Sequence, residues 1–75
     1  MKAYYEISFI PGVMAMVHPV IDGRPSQIPI ARFMRLFDAE EYVRESYETR
    51  GQVARFEQVE FGLWRSQEIE IDAAA

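Results

Sequence analysis

The stretch "FDAEEYVRESYETRG", Phe37 to Gly51, places five carboxylates within eleven residues and ends at a glycine. Ala39, Tyr42, Val43, Ser46, Tyr47 and Arg50 recur at helical spacing and form one face. The opposite face holds Glu40, Glu41, Arg44, Glu45, Glu48 and Thr49. Asp38 followed three residues later by Glu41 has the spacing of a capping box, in which a side-chain oxygen meets free backbone N–H groups at a helix start. Phe37 and Tyr42 then stand where a hydrophobic staple would close over that start. Gly51 falls where a left-handed cap is needed. The pattern predicts a helix over 39–50. Glu40 and Arg44 form a favourable pair in the better orientation, whereas Glu41 and Glu45 repel. No other stretch repeats the helical period so clearly, so the fold hangs on what surrounds this one helix.

Upstream, "AYYEISFI" (3–10) is rich in aromatic and β-branched residues and predicts a strand. Its better core face is Ala3, Tyr5, Ile7 and Phe9. Pro11-Gly12 breaks it, and an L-proline before glycine implies a loop wider than two residues or a bulge. "VMAMVHPVI" (13–21) predicts a second strand, with Val13, Ala15 and Val17 on one side and Met14, Met16 and His18 on the other. Pro19 removes a ladder donor, which suits an edge, a bulge or a strand end. Asp22-Gly23 is a reversal signal, and "RPSQIP" (24–29) reads as extended and exposed. "IARFMRLF" (30–37) fits a strand and also a helix running into the next segment; the Asp38 cap decides for a third strand over 30–37. Downstream, "QVARFEQVEFGLW" (52–64) reads as one long strand, with Gly62 marking a bulge. The expected fold is an α+β two-layer sandwich: a four-stranded antiparallel sheet with one helix on one face, in the order β-β-β-α-β. Residues 1–65 form that single domain, and 66–75 are an acidic tail or a short edge strand.

The 75 residues allow one domain with a thin core. There is no cysteine, hence no disulfide framework and no thiolate metal site. No run is apolar enough for a membrane span and no stretch reads as a signal peptide, so the expectation is a cytoplasmic protein without membrane contact. The net charge of −4 is unevenly divided: residues 1–37 carry +2 and residues 38–75 carry −6. An acidic chain argues against sequence-independent nucleic-acid binding, which needs a positive footprint.

The chain offers no complete catalytic or metal-binding pattern. His18 is the only histidine, too little for a zinc or iron site, and no acidic calcium loop occurs. None of Ser8, Ser26, Ser46 and Ser66 lies in a glycine-flanked nucleophile elbow. Phosphate-cradling glycine patterns are absent. The expectation is a non-enzyme with no cofactor and no metal. One sheet face bearing Tyr4, Phe33, Phe56 and Trp64 with Arg32, Arg35 and Arg55 would stack unpaired bases, which keeps single-strand nucleic-acid binding as a lesser alternative.

What stands out is acidity. Asp38, Glu40, Glu41, Glu45 and Glu48 are interrupted only by Arg44, and Glu57, Glu60, Glu68, Glu70 and Asp72 follow. An exposed helix face is commonly charged for solvation alone. A negative surface of this extent also steers toward basic grooves, including grooves that hold nucleic acid. Glu40, Glu41, Glu45 and Glu48 are therefore the candidate partner-binding residues, with Trp64 as an apolar anchor and Met14 or Met16 as further ones.

With its short length, the opening "MKAYYEIS", the single helix "DAEEYVRESYETRG", no cysteine and a negative second half, the chain resembles the small acidic inhibitors encoded by phages and mobile elements, anti-CRISPR proteins in particular. That resemblance implies action without catalysis, by occupying a nucleic-acid groove or blocking a subunit contact. It carries no functional residue across. The expected function is a protein-binding inhibitor or regulator of a nucleic-acid-handling complex. The alternative is a homo-oligomeric accessory subunit, a homodimer whose pairing enlarges a small core.

Overall fold

In the computed structural model, which describes residues 1–71, two long strands form the spine of the sheet. β1 (Lys2–Ile10) and β2 (Met14–Ile21) pair antiparallel from Ala3 opposite Ile21 to Ile10 opposite Met14. The loop between them is the expected wider one: Pro11, Gly12 and Val13, with Gly12 at φ 78°. Strand alternation sends Ile7, Ala15 and Val17 to one face, where all three are fully buried, with Tyr5 and Phe9 partly buried beside them.

Each outer edge of this spine is shared by two short strands. β3 (Arg24–Pro25) and β4 (Ala31–Phe33) pair with the two ends of β2. After the helix, β6 (Leu63–Ser66) and β7 (Ile69–Glu70) pair with the two ends of β1, and β5 (Phe56–Glu60) lies outside β6. Among the described residues the architecture is α+β with one helix and an antiparallel sheet, as expected, but the sheet has seven strands rather than four.

Three extra strands account for the difference: β3, in the stretch expected to be extended and exposed, the second arm of the 52–64 segment, and β7. The stretch 52–64 is not one strand: it reverses at Phe61-Gly62 into the hairpin β5–β6, with a register irregularity between Gln58 and Glu60. Gly62 makes the reversal, not merely a bulge. It holds φ 78°, and a Cβ there would lie 2.9 Å from the Phe9 carbonyl oxygen, so only glycine lets the turn approach β1. The third expected strand shrinks from 30–37 to Ala31–Phe33. Residues 69–70 form a true short strand, while residues 72–75 of the expected tail lie outside the described residues.

The helix also starts earlier than the capping box implies. α1 spans Leu36–Glu48, and extended Arg35 is its N-cap residue, without a side-chain cap bond. Asp38 is the third helical residue, 3.5 Å from Arg35 Nε, and adds negative charge where the helix dipole favours it. The reason is packing: starting at Leu36 brings that side chain against the core. The staple fails with the cap, since Phe37 is mostly exposed and Tyr42 packs instead on Phe33, at 5.7 Å between ring centroids. At the other end the glycine cap holds. Gly51 has φ 72°, its N–H donates to Glu48 O at 2.9 Å, and Gln52 N–H donates to Tyr47 O at 3.0 Å, the paired bonds of a Schellman motif.

Ala39, Val43 and Tyr47 are the buried helix positions, all on the face predicted for the core. They meet Ile7, Ala15 and Val17. Fully burying a side chain such as Val43 or Ile7 contributes about 1.5–3 kcal/mol, so this small cluster carries much of the stability.

Pro19 sits inside β2, opposite Tyr5. Tyr5 N–H points away from β2, to Ser66 Oγ, so this pair does not exchange ladder bonds. The missing proline donor therefore faces outward, into the gap between β3 and β4, where Pro19 O accepts from Ser26 N–H at 2.9 Å. Asp22 (φ 51°) and Gly23 (φ 77°) form a two-residue turn between Ile21 and Arg24, as their sequence implied.

Candidate protein-binding surface

Arg44 decides how the acidic helix face is presented. Its guanidinium donates to Glu41 Oε1 at 2.7 Å and to Glu40 Oε2 at 3.1 Å, one bond from each terminal nitrogen. The same group lies 5.4 Å from the centre of the Phe56 ring on β5. Two of the four candidate glutamates are thus tied to an internal arginine, itself held against the sheet. Glu45 and Glu48 are exposed and have no ion-pair partner among the described residues. The four are not arranged as one uniform patch: Glu40 and Glu41 form a triad with Arg44, and Glu45 and Glu48 form an exposed ridge without an ion-pair partner among the described residues.

Trp64 is not a projecting anchor. It pairs with Ile7 and Gln58 across the sheet and is half-buried against the core beneath the helix. Met14 and Met16 lie on the opposite sheet face, half-buried. The aromatics proposed to stack bases do not share a face either. Phe33, Phe56 and Trp64 pack against the helix-side core, whereas Tyr4 alternates to the other side of β1. His18 Nδ1–H donates to Ser26 O at 2.9 Å, which fixes the ring to the loop after β3. Among the described residues no group of three or more His, Asp or Glu side chains is placed to hold a metal ion, and no helix is long and apolar enough to cross a membrane.

A hydroxyl network joins helix to sheet where β6 gives way to β7. Tyr47 Oη lies 2.6 Å from both Gln67 O and Ser66 Oγ. A carbonyl only accepts, so the single Tyr47 proton goes to Gln67 O and the Ser66 hydroxyl donates to Tyr47. Ser66 Oγ in turn accepts from Tyr5 N–H at 2.8 Å, standing in for a ladder carbonyl. Burial pushes the Tyr47 phenol above its ordinary pKa, partly offset by the Ser66 hydrogen bond. The Gln67 side chain accepts from Arg55 N–H and donates to Val53 O, both at 2.7 Å, so it fastens the irregular segment 52–55. These groups are saturated by one another and serve structure.

Sequence reasoning missed the apolar surface at the opposite end. Ile10, Val13, Met34, Phe37, Val59 and Phe61 are all exposed, Phe61 at 91% and Met34 at 79%. The topology gathers them: the β1–β2 loop, the β4–α1 junction and the β5–β6 turn all lie at this end. A usable signal existed in Val13 after Pro11-Gly12 and in Phe61 before Gly62, since turns favour polar residues.

Comparisons with known protein families, curated proteins and solved structures find no match. The functional reading therefore rests on this chain's own surface.

Proposed function

We propose that this chain is a non-enzymatic protein-binding module that offers an acidic helix ridge to a basic groove, acting as an inhibitor or regulator of a nucleic-acid-handling complex. The observation that carries the reading is the division of the helix face by Arg44. Because Arg44 is taken up by Glu40 and Glu41 and held over Phe56, it does not neutralise Glu45 and Glu48. The ridge stays negative and sits on a rigid element, which favours steering and orienting a cationic partner. The resemblance to anti-CRISPR proteins supports the same reading at the level of size, charge and helix content.

The test is capture of partners from lysate by the immobilised native chain and by Glu45→Lys/Glu48→Lys. These two positions are chosen because reversal at 40 or 41 would also set lysine beside Arg44. A partner held by the native chain, released by moderate salt and lost from the folded variant is the expected result. A partner retained equally by both chains would reduce the ridge to an ordinary solvated surface.

A further inference from the structure

We propose that the apolar end of the molecule is a homodimer interface, covered in solution by a second copy of this chain. The inference is independent of the acidic ridge. Three chain reversals or junctions converge there, and each exposes large apolar side chains: Ile10 and Val13 beside the β1–β2 loop, Met34 and Phe37 around the helix start, Val59 and Phe61 at the β5–β6 turn. Gly62 O accepts from Phe9 N–H at 2.8 Å, which brings the Phe61 tip alongside the end of β1. Half of the exposed large hydrophobic side chains are therefore collected on one end of a body measuring 40 × 24 × 19 Å.

The choice of occupant follows from area and charge. The six residues together leave on the order of 800 Å² accessible, so a partner covering all of them would bury about as much as one side of a standard protein interface. The charges bordering the patch nearly balance: Arg35 pairs with Asp38 at 3.5 Å, Arg44 takes up Glu40 and Glu41 one helical turn beyond Phe37, and Arg32 and Glu60 are of opposite sign. The acidic excess lies in residues 38–75, at −6, so the helix ridge repels its counterpart in another copy. At the apolar end the nearby acids of the helix start are paired with Arg35 and Arg44, so two copies can meet there without setting free acid against free acid. An apolar surface is also self-complementary without directional matching, as a two-fold interface requires.

Sedimentation equilibrium of the full chain, from about 1 µM to about 500 µM, tests this over the affinity range expected of such an interface. The expected result is a shift from one 8.7 kDa chain to two. Phe61→Asp should raise the dissociation constant by at least ~30-fold while the circular dichroism spectrum is unchanged. Val13→Asp, in a different loop, should do the same and carries the test if the first variant does not fold. Amide signals of the native chain that change on dilution should map to residues 10–13, 34–37 and 59–62, which needs no variant. A single-chain mass throughout, a dimer undiminished in a folded variant, or dilution shifts elsewhere would overturn the proposal. So would flotation of a monomeric chain with phosphatidylcholine vesicles, which would make lipid the occupant.

Discussion

The two ends of the sheet solve the same problem in opposite ways. At the end holding the chain's N-terminus, backbone groups are closed by side chains. Asp22 Oδ1 accepts from Lys2 N–H at 3.0 Å, the Met1 ammonium donates to Glu70 at 3.0 Å, and the Tyr47–Ser66–Gln67 network locks the joint between β6 and β7. At the other end Gly12 and Gly62 shape the two hairpin turns, Phe9 N–H donates to Gly62 O and Val13 N–H to Ile10 O, and Val13, Met34 and Phe61 are left exposed. The apolar end is closed mainly by backbone bonds, and its exposed side chains remain free to be used.

That contrast can be broken at the polar end first. Tyr47→Ala removes both a buried ring and the hydroxyl that joins helix to sheet, and should cost about 3–5 kcal/mol in chemical denaturation. Tyr47→Phe keeps the ring and should cost about 1–3 kcal/mol, because Ser66 and Gln67 lose a buried partner. A Phe variant as stable as the native chain would mean the network contributes shape and not bonding. The same tyrosine sets a pH response. Its folded pKa lies above the ordinary value of 10.0, so its contribution is fully present below pH 10.0 and is lost as pH rises through the folded pKa. Melting temperature should fall on the alkaline side through this group, and Tyr47→Phe should remove that part of the fall.

At the apolar end the sensitive element is backbone. Gly62→Ala must hold φ 78° and press a Cβ to 2.9 Å from the Phe9 carbonyl, and should cost about 1–3 kcal/mol by thermal or urea melting. A neutral outcome would show that the β5–β6 turn can swing away from β1. The smallest effect is expected on the helix ridge. Glu45→Lys/Glu48→Lys should move stability by no more than about 0.5 kcal/mol, since both side chains are exposed and unpaired among the described residues. A larger loss would tie the ridge to folding and weaken its assignment to a partner.

Some of this could be read directly from the chain. The faces of β1 and β2, the Asp22-Gly23 turn, the Gly51 cap and the buried row Ala39, Val43 and Tyr47 follow from periods of two and 3.6 and from residues that tolerate positive φ. The acidic row was equally legible, though Arg44's hold on Glu40 and Glu41 was seen only as the Glu40 pair. Trp64 misled because strand alternation says that a residue alternates, not which face the helix will cover.

By itself, then, the sequence determined one helix, its core face, the two central strands and the uneven charge. These depend on neighbours within a few residues, where backbone preference and side-chain spacing act directly. Only the tertiary structure decided that the helix begins at Leu36, that 52–64 folds back on itself, and that three separate apolar turns meet at one end. Each of those outcomes depends on contacts between distant segments, Phe9 with Gly62 or Tyr5 with Ser66. Burial against remote partners overrode local preference there, because a capping signal or an unbroken apolar stretch is worth less than a side chain taken out of water.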